Sequence, residues 1–263
     1  MPPRPRRRDA RSTRQRYYRE AEAESDCDDE TRRYSPCVNL AQIFDTDELV
    51  IKCKGCNRFF AMCCRHYDPS LGPDDQVGPT CHHQRIVFTD GACTNNGHDG
   101  ATSGIGIVIG GEDDEMFQYQ WSFPIDDTLD PDGRRTNQRA ELLAALEGLK
   151  MICDFDEECL ADSKQTRKHG FEQANIIVTT DSEYVVKGMT EWVPAWKARG
   201  WRKSDGSRPC NLDLFQRLEE EVEIRERRHS CKVKFWYVER RYNHLADAMA
   251  KRGARDAVVS VPL

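Results

Sequence analysis

The chain has 263 residues, of which 38% are hydrophobic and 32% charged, and its formal net charge is −6. No apolar stretch is long enough to span a membrane, and the acidic balance argues against indiscriminate binding of nucleic acid by the whole surface. The twelve cysteines and the absence of a signal-peptide pattern predict an intracellular, reducing compartment, where clustered cysteines indicate metal sooner than disulfides. We expect a monomer with one ordinary globular domain and a smaller module.

The N-terminal segment, residues 1–34, is predicted to be a disordered tail. Residues 1–20 contain eight arginines, and an acidic stretch follows at Glu22–Glu30. Such a tail is typical of a nuclear address or a nucleic-acid tether, and equally of a solvated surface segment. The arginines cluster without an apolar helical face, which favours a nuclear or cytoplasmic location over a mitochondrial one.

Residues 35–83 are rich in cysteine and histidine. Cys53 and Cys56 form a C-x-x-C pair, and a second group follows: Cys63, Cys64, His66, Cys81, His82 and His83. Four such ligands suit a tetrahedral zinc ion, which would help a short segment to fold. We predict one structural zinc ion bound by Cys53, Cys56, Cys64 and His66, with Cys63 and Cys81 as alternatives for the second pair. The competing interpretation is a cysteine-rich strand pair packed on the main domain.

Residues 84–258 are predicted to form an α/β domain. Five apolar runs indicate strands: RIVFTD, GIGIVI, MFQYQWSF, NIIVTT and KVKFWYV. Helical spacing and capping residues predict helices at Asn137–Cys153, Ser182–Arg199, Asn211–Arg228 and Tyr242–Arg255, with a polar insertion at Asp154–Gln173. Three strands in sequence, followed by strands alternating with helices, predict a mixed five-stranded sheet with helices on both faces.

Four separated carboxylates are candidates for metal-ion catalysis. Asp90 and Asp181 end apolar, β-branched runs, whereas Glu141 and Asp247 lie near the starts of predicted helices. Clustered carboxylates repel each other unless cations share the site, and oxygen ligands favour magnesium or manganese. Two such ions activate water and stabilise the leaving oxygen in phosphodiester cleavage. For any one of these acids, a structural role is the alternative.

Five ordered blocks carry a resemblance to a known family: TDGAC, TNQRAE, TDSEYVVKG, WVPAWKARGW and the N-x-x-x-D pattern at Asn243–Asp247. Over roughly residues 85–253 the chain resembles the type 1 ribonuclease H family. The resemblance implies the ribonuclease H-like fold and a two-metal endonuclease that hydrolyses the RNA strand of RNA–DNA hybrids. It implies that Asp90 bridges both ions, that Glu141 and Asp181 complete one metal shell, and that Asp247 holds the other ion.

The same resemblance implies a set of nucleic-acid contacts. Asn96 would reach the 2′-hydroxyl group that distinguishes RNA from DNA. The start of the Glu141 helix would hold phosphate and minor groove through Arg134, Thr136, Asn137 and Gln138. Trp192, Trp196 and Ser204 would line the DNA channel, Asn211 would lie near the phosphate pocket, and the basic residues from Lys197 to Arg208 would grip DNA. The alternatives are an Asn-Gly turn, a helix cap, core tryptophans and solvated charges; for Trp201 we favour the core.

One departure from the family pattern concerns the connection before the last helix. Many relatives carry a histidine there that assists protonation and product release, whereas Val238–Asn243 contains none. We expect cleavage to persist, because metal-bound water supplies the nucleophile, and the missing histidine leaves the rate of cleavage open. Two other functions stay open: a non-catalytic binder of RNA–DNA hybrid or double-stranded RNA that retains the fold, and a zinc-knuckle interaction protein for which the nuclease domain is a scaffold.

Overall fold

The computed structural model describes residues 31–63, 80–113, 117–131, 133–162, 175–229 and 231–259. Within these ranges the strands are β1 Val50–Lys52, β2 Phe59–Ala61, β3 Gln84–Thr94, β4 Thr102–Val108, β5 Gln120–Pro124, β6 Asn175–Thr180 and β7 Lys232–Tyr237. The helices are α1 Val38–Ala41, α2 Asn137–Asp162, α3 Glu183–Lys187, α4 Val193–Lys197, α5 Leu212–His229 and α6 His244–Val259. A π-helical turn at Gly188–Trp192 joins α3 to α4, and a 3-10 turn at Arg240–Tyr242 precedes α6. None of the described helices has the length and apolar character needed to cross a membrane.

Strand β3 is at the centre of the sheet. It pairs antiparallel with β4 and parallel with β6, which gives the order β5-β4-β3-β6-β7. These strands fall on the five predicted apolar runs, so the predicted mixed sheet is confirmed. Side chains alternate along a strand, and Val87 accordingly packs in one core while Ile86 and Phe88 pack in the other.

Helices cover both faces of the sheet, as predicted. One core lies between the sheet and α2 to α5, and Leu142, Leu146 and Phe215 are fully or almost fully buried in it. The other core lies under α6 and also holds Leu40 and Met62 from the cysteine-rich segment. Strand β6 contributes to both cores, which explains its nearly continuous apolar sequence.

The cysteine-rich segment contributes an antiparallel hairpin, β1–β2, to the same sheet. Strand β4 pairs with the second half of β3, and β2 occupies the same edge beside the first half, through Phe60 opposite Arg85. The Phe59 amide also donates to the Ile109 carbonyl oxygen at 2.8 Å. Strands on either side of the predicted domain boundary, between residues 83 and 84, therefore share one sheet. This is the arrangement of the competing interpretation, a cysteine-rich strand pair packed on the main domain.

The end of the predicted N-terminal tail is ordered. The Tyr34 amide donates to the Phe235 carbonyl oxygen at 2.9 Å, and the Phe235 amide donates to the Arg32 carbonyl oxygen at 2.7 Å. Because β7 is an edge strand with free backbone groups, it offers this pairing to a neighbouring segment. Tyr34 also packs edge-on against Trp236. The predicted disorder is therefore wrong for residues 31–34, and residues 1–30 lie outside the described part of the chain.

Helix α2 is longer than predicted. The sequence predicted that it ends at Cys153 and that a polar insertion follows, but the helix continues to Asp162. The first acids beyond Cys153 are paired: Asp154 with Arg225, and Asp156 with both Arg58 and Arg85. These pairs neutralise a stretch that reads as solvent-exposed in sequence.

Candidate active site

The four predicted carboxylates converge at one place. Asp90 is in β3 and Asp181 directly follows β6, and the parallel pairing of Phe88 with Thr179 brings these two strands to the same edge. Glu141 lies in the second turn of α2, and Asp247 in the first turn of α6. Asp90 interacts electrostatically with all three other acids. The predicted acidic cluster is thus present in the structure.

Two glycines allow the helices to approach this closely. A Cβ atom at Gly91 would lie 2.2 Å from the backbone of Ala140 and Glu141, so β3 and α2 meet at the residue after Asp90. A Cβ atom at Gly106 of β4 would lie 2.1 Å from the Ala246 carbonyl oxygen, immediately before Asp247 in α6. Any larger side chain would push these helices, and the acids they carry, away from the sheet.

The electrostatics of the cluster favour cations. Burial, the Asp181 and Asp247 charges and a smaller contribution from Glu141 raise the pKa of Asp90 to about 7. Burial also raises the pKa of Glu141, although the hydrogen bond from Ser182 opposes this increase. Both carboxyl groups are therefore costly to ionise without a positive charge nearby. Their oxygen atoms are the ligands that hard divalent cations prefer.

Asp247 differs because two basic side chains hold it. Lys251 Nζ lies 2.6 Å from Asp247 Oδ2, and Arg240 pairs with Asp247 Oδ1. Burial acts to raise the pKa of Asp247, but these two hydrogen bonds outweigh it and the pKa is lowered. Arg240 lies in the short connection that lacks the family histidine, and it also interacts with Asp90 and Asp181. The connection therefore places the positive charge of the Arg240 side chain beside the acidic cluster.

Two supporting residues were not among the predicted site residues. Ser182 Oγ donates to Glu141 Oε2 at 2.6 Å and also accepts from the Val185 amide as the N-cap of α3. Asn243 Nδ2 donates to Asp181 Oδ1 at 2.7 Å and to the Thr89 carbonyl oxygen at 3.1 Å. Ser182 and Asn243 both lie at the start of a predicted helix, where polar side chains are common. A polar residue at a helix start, close in sequence to a predicted acid, is the signal by which sequence analysis could have found them.

The predicted hybrid-binding loop docks on the start of α2. Asn96 Oδ1 accepts from the Asn137 amide at 3.0 Å, and Thr136 Oγ1 accepts from the Arg139 amide at 3.3 Å. Thr136 is therefore the helix cap that its position indicated. The structure brings four of the predicted contacts together here, with Asn96, Asn137, Gln138 and Arg134 all exposed. Their contact with nucleic acid stays a prediction.

The predicted DNA-channel residues divide between core and surface. Trp196 is only 9% exposed and packs edge-on against Phe215, and Trp192 is half-buried beside Tyr184. Ser204 is exposed, whereas Asn211 donates to the Tyr184 hydroxyl at 3.0 Å. Both tryptophans, like Trp201, pack against the core, as the alternative describes. Their contact with DNA stays a prediction.

Among the basic residues of the same segment, Lys197 is already paired. Its Nζ lies 2.6 Å from Glu219 Oε1 and 2.7 Å from Glu223 Oε1. The side chains of Arg199, Arg202 and Arg208 are exposed, and Lys203 is half-buried. The charge of Lys197 is therefore balanced by two acids, whereas the later basic residues carry charge that is available to a ligand.

The predicted C-x-x-C pair of the zinc site has a neighbour that the sequence did not assign to it. Cys53 and Cys56 lie beside His82, and a second group joins Cys63, Cys81 and His83. The sequence had not singled out His82 as a partner of the C-x-x-C pair, because the two are far apart along the chain. Cys64 and His66 lie outside the described residues, so their predicted role stays a prediction.

Comparison with known proteins identifies nearly the same part of the chain as the predicted α/β domain, residues 84–258. The RNase H family model matches residues 82–255. A ribonuclease H from Photorhabdus luminescens is 35% identical over 136 residues, which are 52% of this chain and 67% of that protein. A ribonuclease H from a Polaromonas strain is 31% identical over 189 residues, which are 70% of this chain and 97% of that protein. The solved structure of LC11-RNase H1 with an RNA/DNA hybrid aligns with a TM-score of 0.43 and 21% identity over 66% of this chain and 99% of that one.

Proposed function

The chain belongs to the ribonuclease H family, and from this we propose that it is an endonuclease that hydrolyses the RNA strand of RNA–DNA hybrids with two divalent metal ions. The observation that carries the proposal is the convergence of Asp90, Glu141, Asp181 and Asp247 from four separate segments. A protein that only binds nucleic acid gains nothing from four acids facing a phosphate, because like charges repel.

The acidic cluster fits magnesium or manganese. The raised pKa of Asp90, about 7, reflects burial among like charges, which cations would relieve. Asp90 would bridge the two ions, Glu141 and Asp181 would complete one shell, and Asp247 would hold the other ion. When held by these acids, the ions would supply Lewis-acid activation of water and would neutralise charge on the leaving oxygen.

The side chains around the acids hold them in position. Ser182 fixes one oxygen of Glu141, and Asn243 fixes one oxygen of Asp181 while it is anchored on the Thr89 backbone. Hydrogen bonds of this kind orient metal ligands and limit their motion. Arg240 and Lys251 place positive charge beside Asp247, where a substrate phosphate would approach the cluster.

Exposed groups near α2 support the hybrid as substrate. The Asn96 loop and the N-terminus of α2 form one surface, where backbone amides and short polar side chains suit phosphate and sugar hydroxyls. The exposed basic residues after Lys197 suit the second strand, because they lie on an otherwise acidic protein. The alternative function, a non-catalytic hybrid binder, is favoured by one feature, the short connection without histidine.

A cleavage assay distinguishes these functions. We expect magnesium-dependent cutting of the labelled RNA strand in an RNA–DNA hybrid, and no cutting of the DNA strand. Asp181→Asn should abolish cleavage but change hybrid affinity only a few-fold, because the asparagine Oδ1 can still accept from Asn243. Asp47→Asn, which removes an exposed acid of the cysteine-rich segment, is the matched control and should cleave normally.

Two results would contradict the mechanism. Retained magnesium-dependent cleavage by purified Asp181→Asn protein would exclude this acid as a metal ligand. Tight hybrid binding without cleavage by the wild type, in either magnesium or manganese, would support the non-catalytic binder instead.

A further inference from the structure

The β1–β2 turn and the segment before β3 bring soft metal ligands together, and none of these ligands is one of the four carboxylates. His82 Nε2 lies 3.4 Å from Cys53 Sγ and 3.8 Å from Cys56 Sγ. The three ligand atoms all lie within 4.8 Å of one another. Cys53 is buried, whereas His82 is exposed, so the site is open on one side.

These distances match the edges of a zinc tetrahedron. With usual Zn–S and Zn–N bond lengths, sulfur and nitrogen ligands of one ion lie about 3.5 Å apart. Hydrogen bonding explains them less well: a neutral imidazole nitrogen has either one proton or one lone pair, and here it faces two sulfur atoms. A shared ion accounts for both distances at once.

The surrounding structure orients Cys53 and His82 of this trio. The Gly55 amide points at Cys53 Sγ, 3.4 Å away, as suits a sulfur that carries negative charge. The turn is closed by the Asn57 amide, which donates to the Cys53 carbonyl oxygen at 2.8 Å, and Asn57 adopts a left-handed conformation with φ of 57°. The His82 ring stacks on Phe60, with centroids 4.1 Å apart and planes 5° apart, which fixes the direction of Nε2.

A second trio lies on the other side of the same segment. Cys81 Sγ and His83 Nδ1 are 3.1 Å apart, and Cys63 Sγ lies within 4.8 Å of both. Residues 81–83 lead into β3, and successive side chains of an extended chain point to opposite sides. The sequence Cys-His-His therefore sends one ligand to the first trio and two to the second.

We propose that Cys53, Cys56 and His82 bind one zinc ion, and that Cys63, Cys81 and His83 bind a second. Each trio leaves one tetrahedral position for a further ligand. The two ions tie the ends of the β1–β2 hairpin to the residues immediately before β3, the strand that carries Asp90. A short hairpin has little core of its own, so metal binding supplies the free energy that holds it on the sheet.

Metal content of the full-length chain tests both sites. The protein is loaded with zinc, passed over a chelating resin to remove weakly bound ions, and measured by elemental analysis. We expect one zinc ion per trio. His82→Ala should lose one zinc ion and Cys81→Ser the other. Cys210→Ser, at an exposed cysteine outside both trios, should keep both ions, and Asp181→Asn should also keep both because the carboxylates are a separate site.

Cobalt spectroscopy distinguishes loss of a metal ligand from loss of metal through misfolding. Cobalt(II) in the wild-type chain should give a sulfur-to-cobalt charge-transfer band and the strong visible bands of tetrahedral coordination. His82→Cys should retain both ions and strengthen the charge-transfer band, since it adds a thiolate. Wild-type protein without retained zinc and without these cobalt bands would overturn the proposal. A folded His82→Ala or Cys81→Ser variant with wild-type zinc content would overturn the corresponding site.

The test of the two zinc sites is independent of nuclease activity. Zinc content can be correct in a chain that fails to cut hybrids, and cleavage can persist in a chain without zinc, so the failure of one proposal does not imply the failure of the other.

Discussion

Asp90 has only 8% of its surface exposed, and three other carboxylates act on it. Its folded-state pKa of about 7 lies above the ordinary value, so in the absence of divalent ions it remains protonated over a pH range in which the unfolded chain is ionised. Its contribution to stability is fully present below about pH 4 and is lost as the pH rises through 7. The full loss is up to roughly 4 kcal/mol.

A pH series with Asp90→Asn measures this cost. In magnesium-free buffer, the variant should match the wild type near pH 4 and be more stable than it at pH 8, by up to roughly 4 kcal/mol. The free energy of unfolding in urea at several pH values is the measurement, with Asp47→Asn as the control. Magnesium should stabilise the wild type at pH 8 more than the variant. A difference between variant and wild type that does not change with pH would exclude Asp90 as the titrating group.

At the scale of single elements, a buried ion cluster joins three parts of the fold. Asp156 of α2 is 5% exposed and accepts from Arg58, just before β2, and from Arg85 of β3. The Arg58 guanidinium also lies over the Phe155 ring, 5.1 Å from its centroid. Helix α2, which carries Glu141, is thus held to both the hairpin and the central strand.

Removal of the shared charge should destabilise the whole fold. Asp156→Asn leaves two largely buried guanidinium groups without a counter-charge, which typically costs about 3–5 kcal/mol. Asp154→Asn, two residues away on the same helix, is the matched control: Asp154 is 61% exposed, and its pair with Arg225 should contribute less than about 1 kcal/mol. Urea unfolding of both variants gives the comparison. Equal losses would mean that burial of the cluster does not determine its energy.

The elements also show which parts of the structure the sequence could predict. Apolar, β-branched runs such as Ile86–Phe88 are typical of strands, and this composition predicted β3. The run is continuous because its side chains enter two cores. The continuation of α2 past Cys153 was not predictable in this way, because the partners of Asp156 are Arg58 and Arg85, far away in sequence.

The candidate sites show the same difference between local sequence patterns and contacts made by distant segments. The four acids follow from local patterns, at the ends of apolar runs and the starts of helices, although β3 continues past Asp90 to Thr94. The partners that position them, and the place of His82 beside Cys53, depend on contacts that only the folded chain creates. Pairing between segments remote in sequence has no local signal, which is why the sequence could not show that Glu219 and Glu223 pair with Lys197.

At the scale of the whole molecule, charge is unevenly distributed. The net charge is −6, and a duplex carries closely spaced negative charge, so binding requires a local basic surface. The residues after α4 provide one: Arg199, Arg202 and Lys203 have no ion-pair partner within the described parts of the chain. Turns at Gly200 and Gly206, both with positive φ, hold this segment out between α4 and α5.

Salt dependence tests this surface. Replacing Arg199, Arg202 and Lys203 together by glutamine should weaken hybrid binding and reduce the slope of log affinity against log salt by up to about 0.9 for each phosphate that is no longer neutralised. Lys197→Gln is the matched control from the same segment: because its ammonium group is held by Glu219 and Glu223, it should lower stability but leave the slope unchanged. Turnover at saturating substrate should fall much less than affinity in the triple variant, since the four acids are untouched. Hybrid affinity across a salt series is the measurement, and a wild-type slope in the triple variant would mean that these charges are solvated and that the hybrid binds elsewhere.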